Sequence, residues 1–151
     1  MPDAPTRSVQ AVRALARASR LLERASPGAN LSQYRVLSAI AEGDQRASRI
    51  AARLAVGKPA ISATVDSLCQ AGWLARSSVE GDQRVAALRL TEEGGRALAR
   101  MEGSMVAWVD DLCARAPDGE QLLRALVGMG AALDQLAVER HGRTGTNQDG
   151  R

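Results

Sequence analysis

The stretch LSQYRVLSAIAEGDQRASRIAARLAVGKPAISATVDSLCQAGWLARSSVEGDQRVAALRLTEE, Leu31 to Glu93, divides by its apolar spacing into three short helices, a hairpin and the start of a longer helix. Ser32 is placed to cap the first helix, whose apolar stripe is Val36, Leu37 and Ile40, and Gly43-Asp44 stops it. The second, about 47–55, has Ile50 and Leu54 one turn apart. Gly57 is expected to permit the sharp turn that follows, and Pro59 suits the first turn of the next helix, where its missing N–H costs nothing. That third helix, about 59–71, puts Ile61, Val65, Leu68 and Cys69 on one face and Ala60, Ala63, Ser67 and Gln70 on the other, flanked by Ser62, Thr64 and Asp66. Gly72 ends it. Residues 74–79 and 85–90 read as strands around a tip of Glu80-Gly81-Asp82-Gln83-Arg84, and Thr91 caps a helix with Glu92 and Glu93 in its first turn.

The expected fold is mainly α with a small β-hairpin wing, a winged helix-turn-helix unit flanked by dimerisation helices. A solvated helix usually carries Lys and Glu, whereas the outer face of the third helix is small and nearly uncharged, as close approach to a groove requires. Three helices bearing a hairpin with an arginine at its tip have one common use: the last helix enters the major groove of DNA and the hairpin reaches an adjacent minor groove. The candidate DNA-binding residues are Lys58, Pro59, Ala60, Ser62, Ala63, Thr64 and Ser67 on the helix, with Asp82, Gln83 and Arg84 at the hairpin. Lys58, unfavourable for the helix dipole, suits a phosphate, and a guanidinium at Arg84 suits the negative potential of a narrow minor groove.

Outward from this unit the chain is helical. Residues 7–25 carry Val9, Val12, Leu15, Ala16 and Leu22 on one side, and Ser26-Pro27-Gly28 ends them. Leu98, Met101, Met105, Trp108 and Leu112 recur at spacings of three and four, Pro117-Asp118 breaks the pattern, and Leu122, Leu126, Met129, Leu133 and Leu136 repeat it. These stripes exceed what a 60-residue winged unit covers, so a homodimer partner is expected through about 7–25 and 95–140. The organisation reads as a dimerisation helix in 1–30, the winged unit in 31–91, dimerisation helices in 92–140 and a disordered tail in 141–151.

Composition narrows the function. Phe is absent and one Tyr and two Trp are the only aromatics, so the core is built from aliphatic residues and Ala, which favours packed helices. Two cysteines and one histidine are too few for a disulfide framework or a zinc site, and no nucleophile–base pair stands out; no metal, cofactor or enzymatic activity is expected. No run approaches the ~20 apolar residues of a membrane span and Met1-Pro2-Asp3 opens no signal peptide, so a cytoplasmic protein is expected. The net charge is +3 in residues 1–29, +3 in 30–91 and −3 in 92–151, which places the basic excess on the first two-thirds of the chain.

Leu31-Ser32-x-x-x-Val36-Leu37, Ile50-Ala51-x-x-Leu54, Lys58-Pro59-Ala60-Ile61-Ser62, Val65-x-x-Leu68-x-x-x-Gly72, Asp82-x-Arg84 and Leu88-x-Leu90-Thr91-x-x-Gly94, in this order and spacing, resemble the MarR family of bacterial transcriptional regulators. The resemblance implies a homodimer whose first and last two helices interlock and whose winged units straddle a pseudo-palindromic operator. It implies that the helix from Pro59 is the recognition helix, that Arg84 enters the minor groove, and that Asp82 orients it through a salt bridge. Gly57 stands where the family often has Ser or Thr, Ala63 where it often has Arg, and Gln83 breaks its Asp-Arg-Arg run. Fewer charged readers imply more reliance on backbone contacts and DNA shape.

Some relatives bind small aromatic acids between the dimerisation and reading parts. Tyr34, Ser38, Met101, Met105 and Trp108 are the corresponding candidates here, for a small apolar or aromatic anionic effector, although core packing accounts for the methionines equally well. Other relatives sense oxidants through a thiol, but Cys69 on a core face and Cys113 beside Asp110 and Asp111 read as small packing residues. The function implied is a sequence-specific DNA-binding regulator, a repressor released by its effector. The alternative is a winged-helix dimerisation or interaction module without specific DNA readout.

Overall fold

The computed structural model describes residues 6–26, 28, 30–79 and 82–145, with side chains described for all of these except 78–79, 82–86 and 141–145. The elements run α1 (Arg7–Ala25), α2 (Leu31–Ala41), α3 (Ala47–Arg53), α4 (Lys58–Gln70), β1 (Leu74–Val79), β2 (Asp82–Leu90), α5 (Glu92–Arg115) and α6 (Gly119–Gly145). The order is the one expected, a mainly helical chain with a two-stranded antiparallel hairpin.

The core lies in the middle of the chain. Leu37 of α2, Ile50 of α3 and Leu68 of α4 are each 0% exposed. Val36, Ile61, Val65, Leu74, Leu88, Leu98 and Met101 close around them. Removing water from a side chain of this size contributes roughly 1.5–3 kcal/mol, and α5 enters this core through Leu98 and Met101. Neither α1 nor α6 has a buried residue among those described.

The ends of the three short helices share one device. Gly43 follows α2, Ala55 follows α3 and Gly72 follows α4, all with positive φ, of 110°, 53° and 76° respectively. In each case the next residue donates its N–H back five positions: Asp44 to Ala39, Val56 to Ala51 and Trp73 to Leu68, at 2.9–3.0 Å. This is the Schellman closure, which satisfies carbonyls that the helix leaves open. It corrects the expectation for Gly57, whose φ of −62° is available to any residue. The left-handed position is Ala55, two residues earlier.

Other boundaries move. Asn30, not Ser32, caps α2: its side chain accepts from the Gln33 N–H at 2.9 Å, and Gln33 accepts in return from the Asn30 N–H at 3.2 Å. α3 ends at Arg53, and α4 starts one residue before Pro59. α6 runs to Gly145, past the expected tail boundary at 141; residues 146–151 lie outside the described residues. β2 starts at Asp82 rather than at Val85, so Asp82, Gln83 and Arg84 belong to the strand. The register runs Leu74 opposite Leu90 to Ser78 opposite Ala86, then jumps to Val79 opposite Asp82, leaving Gln83, Arg84 and Val85 as an irregularity in β2.

Candidate nucleic-acid interface

α4 begins without a side-chain cap, and its first turn carries no acid. Its leading amides therefore present the positive end of the helix dipole to solvent, an arrangement that suits an anion such as phosphate. Lys58 sits in that turn, and Lys58, Pro59, Ala60, Ser62, Ala63 and Ser67 are all exposed, opposite the buried Ile61, Val65 and Leu68. The structure thus brings six of the seven helix candidates onto one open surface. Thr64 stands apart: it is half-buried, and its hydroxyl donates to the Ala60 carbonyl at 3.0 Å. Asp66 also faces outward and is paired with Arg76 of β1. Glu80 and Gly81 of the expected tip lie outside the described residues, as do the side chains of Asp82, Gln83 and Arg84.

Two arginines that the sequence reading passed over join this surface. Arg46 and Arg49, at the start of α3, are exposed, and among the described residues they enter no ion pair. Isolated cations on a short helix look like an ordinary solvated face, so only their placement beside α4 singles them out. In a helix-turn-helix the helix preceding the reader crosses the phosphate backbone.

Arg53 is fully engaged. Its Nε donates to Asp134 of α6 at 3.2 Å, its Nη1 to Asp44 at 3.2 Å and its Nη2 to Glu42. The hydrogen bond to Glu42 is the largest influence pushing the guanidinium further up, with Asp44 and Asp134 acting in the same sense against the cost of burial. One planar cation thus ties α3 both to the loop after α2 and to the last helix. The same loop is pinned to the hairpin, where the Leu88 N–H donates to the Gln45 carbonyl at 2.8 Å.

The effector candidates do not gather in one cavity. Ser38 lines a space of about 470 Å³ between α2, α3 and α6 with Arg35, Glu42, Arg53 and Leu133, and its hydroxyl donates to the Arg35 carbonyl at 3.1 Å. Met101 lines a different space, of about 740 Å³, with Ser26, Trp73, Arg100 and Ser104. Met105 is buried, Trp108 half-exposed, and Tyr34 packs against the core with its phenol pushed up first by burial, then by Glu102 and Glu42. Ser26 was not foreseen as a site residue. It is 4% exposed, and among the described residues its hydroxyl has no hydrogen-bond partner, a signal that only packing reveals. Cys69 and Cys113 are both half-buried. Among the described residues no helix is long and apolar enough to cross a membrane.

A family model described as MarR family matches residues 28–85, the segment that carries α2 to the hairpin. The chain is 34% identical over 82 residues to the HTH-type transcriptional regulator PecS of Dickeya dadantii (strain 3937); the match takes in 54% of this chain and 49% of that protein, so it spans about half the length of this curated relative. Among solved structures, the transcriptional repressor CouR bound to a 23-mer DNA duplex superposes with a TM-score of 0.72 at 23% identity, covering 85% of this chain and 92% of that one. The PcaV transcriptional regulator from Streptomyces coelicolor, in complex with its natural ligand, superposes with a TM-score of 0.67 at 23% identity, covering 87% of this chain and 97% of that one. The family match thus falls on the winged unit, residues 28–85, where the chain resembles MarR-family regulators.

Proposed function

We propose that this protein is a sequence-specific DNA-binding transcriptional regulator, a cytoplasmic non-enzyme that works as a homodimer on a pseudo-palindromic operator and represses until a small effector releases it. The observation that carries the reading is the outer face of α4: short, exposed side chains behind an uncapped helix start, with Lys58 in its first turn and Arg46 and Arg49 on the neighbouring helix. That surface admits close approach to a groove while its cations meet the flanking phosphates. The duplex held by the related CouR structure supports the same use.

Exposed apolar side chains on α1, α5 and α6, among them Val12, Val106 and Val127, supply the dimer surface. The effector is a small apolar or aromatic anion, as the ligand-bound relative PcaV suggests only in that it holds a ligand. Of the effector candidates Met101 is favoured, because Trp73, Arg100 and Ser26 line its cavity with it.

The test is selection of bound duplexes from a random pool, followed by titration of the enriched duplex against salt. A two-fold-related site, with affinity falling steeply as salt rises, is expected. Folded Arg84→Ala should bind roughly tenfold more weakly or worse, since a specific contact of this kind is worth about 1–3 kcal/mol in each half-site. Failure to enrich any sequence would move the assignment to an interaction module.

A further inference from the structure

The outward stripe of α4 contains one acid. Pro59, Ala63, Asp66 and Gln70 recur at spacings of three and four opposite the buried Ile61, Val65 and Leu68, and all four are exposed. A bare carboxylate there faces the phosphates of any bound duplex. The fold answers it with Arg76, which reaches from β1 so that its Nη2 donates to Asp66 Oδ1. That hydrogen bond is the main cause of the upward push on the Arg76 guanidinium. The side chains are 59% and 50% exposed, and an ion pair so exposed adds little to folding stability. A pair that does little for the fold, held on the surface that meets DNA, invites a role in reading it.

We propose that Asp66, oriented by Arg76, is a base-specificity determinant of the reading unit and selects a cytosine in the major groove; this rests on the DNA-binding function proposed above. An ionised carboxylate only accepts hydrogen bonds. Guanine offers it acceptors alone, at N7 and O6, and thymine an acceptor and a methyl group, so both are rejected. Cytosine presents its N4 amino group. Adenine also presents an amino group, but with the N7 acceptor beside it, which a carboxylate repels. Arg76 occupies Oδ1 and so leaves Oδ2 for the base. Four of its neighbours discriminate little: Ala60 and Ala63 have no polar side-chain atom, while the hydroxyls of Ser62 and Ser67 both donate and accept. From sequence, Asp66 reads as a flanking residue that an arginine could pair with, and the structure identifies that arginine as Arg76 of β1.

The experiment is random-pool duplex selection with the full-length protein and with Asp66→Ala, Asp66→Asn and Arg76→Ala, circular dichroism serving as the folding control. The wild-type site is expected to hold a C·G pair at one position in each half. Asp66→Ala should flatten that position alone, with roughly tenfold loss of discrimination. Asp66→Asn should shift the preference there toward adenine, whose N6 and N7 suit an amide, and Arg76→Ala should weaken the same position while leaving the others in place. A wild-type site whose every position survives in folded Asp66→Ala would overturn the assignment and leave the DNA-binding function standing. A wild-type protein that enriches no sequence would overturn both.

Discussion

Gly94 stands directly against the backbone carbonyl of Trp73: a β carbon built on it would lie 2.0 Å from that oxygen and 2.8 Å from the carbonyl carbon. Thr91 grips the same turn. Its N–H donates to the Trp73 carbonyl at 3.1 Å, and its hydroxyl donates to the Gly72 carbonyl at 2.6 Å while accepting the Gly94 N–H at 3.0 Å. The start of α5 is thus fastened to the end of the reading unit through backbone. In a dimer, the direction in which α5 leaves that junction sets the spacing of the two reading helices.

Gly94→Ala should therefore destabilise the protein by about 1–3 kcal/mol, the usual cost of overpacking, because the neighbour is backbone and cannot rotate away. Gly95→Ala, one residue on, meets nothing within 4 Å and should instead stabilise by roughly 0.5–1 kcal/mol through helix propensity. Urea denaturation of both variants checks the contrast, and equal effects would refute it.

Ala55 occupies a left-handed position that suits glycine, with φ of 53°. Ala55→Gly should stabilise by about 1 kcal/mol, the entropy of the unfolded glycine offsetting part of the relief. Gly43→Ala and Gly72→Ala, at the equivalent closures of α2 and α4, should each destabilise by a similar amount. Thermal melts of the three variants give the signs directly.

Arg53→Lys should not be conservative. The guanidinium sends three different nitrogens to Asp134, Asp44 and Glu42, and a single ammonium on a flexible stem cannot span them. With Glu42 and Asp134 more than half exposed, the loss should be modest, about 1 kcal/mol. A double-mutant cycle of Arg53→Met with Asp44→Asn should show the strongest coupling, because Asp44 is the least exposed of the three acids. Coupling confined to Asp134 would contradict this.

Val127 is 70% exposed and Val138 73%, both on α6, in a subunit whose core they do not enter. Val127→Glu combined with Val12→Glu should disrupt the proposed dimer while leaving the winged unit folded, visible as a lower sedimentation coefficient at micromolar concentration with helical circular dichroism retained. A dimer of undiminished affinity would place the interface elsewhere.

Periodicity alone determined the order of elements, because Val36, Leu37, Ile50, Ile61, Val65 and Leu68 repeat at intervals that only helices bury together, and Thr91 with Glu92 and Glu93 marks the start of α5 without ambiguity. The outer face of α4 was equally legible, being what remains once the buried stripe is assigned. Local signals failed where neighbours decide. Ser32 and Gly57 had the right chemistry for a cap and a turn, but the cap is Asn30, through its box with Gln33, and the left-handed position is Ala55. Single positions in a motif do not say how close two backbones come, so the reason for Gly94 appeared only against Trp73. Ion pairs across elements, Arg53 with Asp134 and Asp66 with Arg76, join residues whose separation in sequence carries no period, and Ser26 is buried without a partner among the described residues only because distant side chains close over it. Contacts of that kind belong to the tertiary structure, since they depend on how helices cross and not on which residues each helix turns inward.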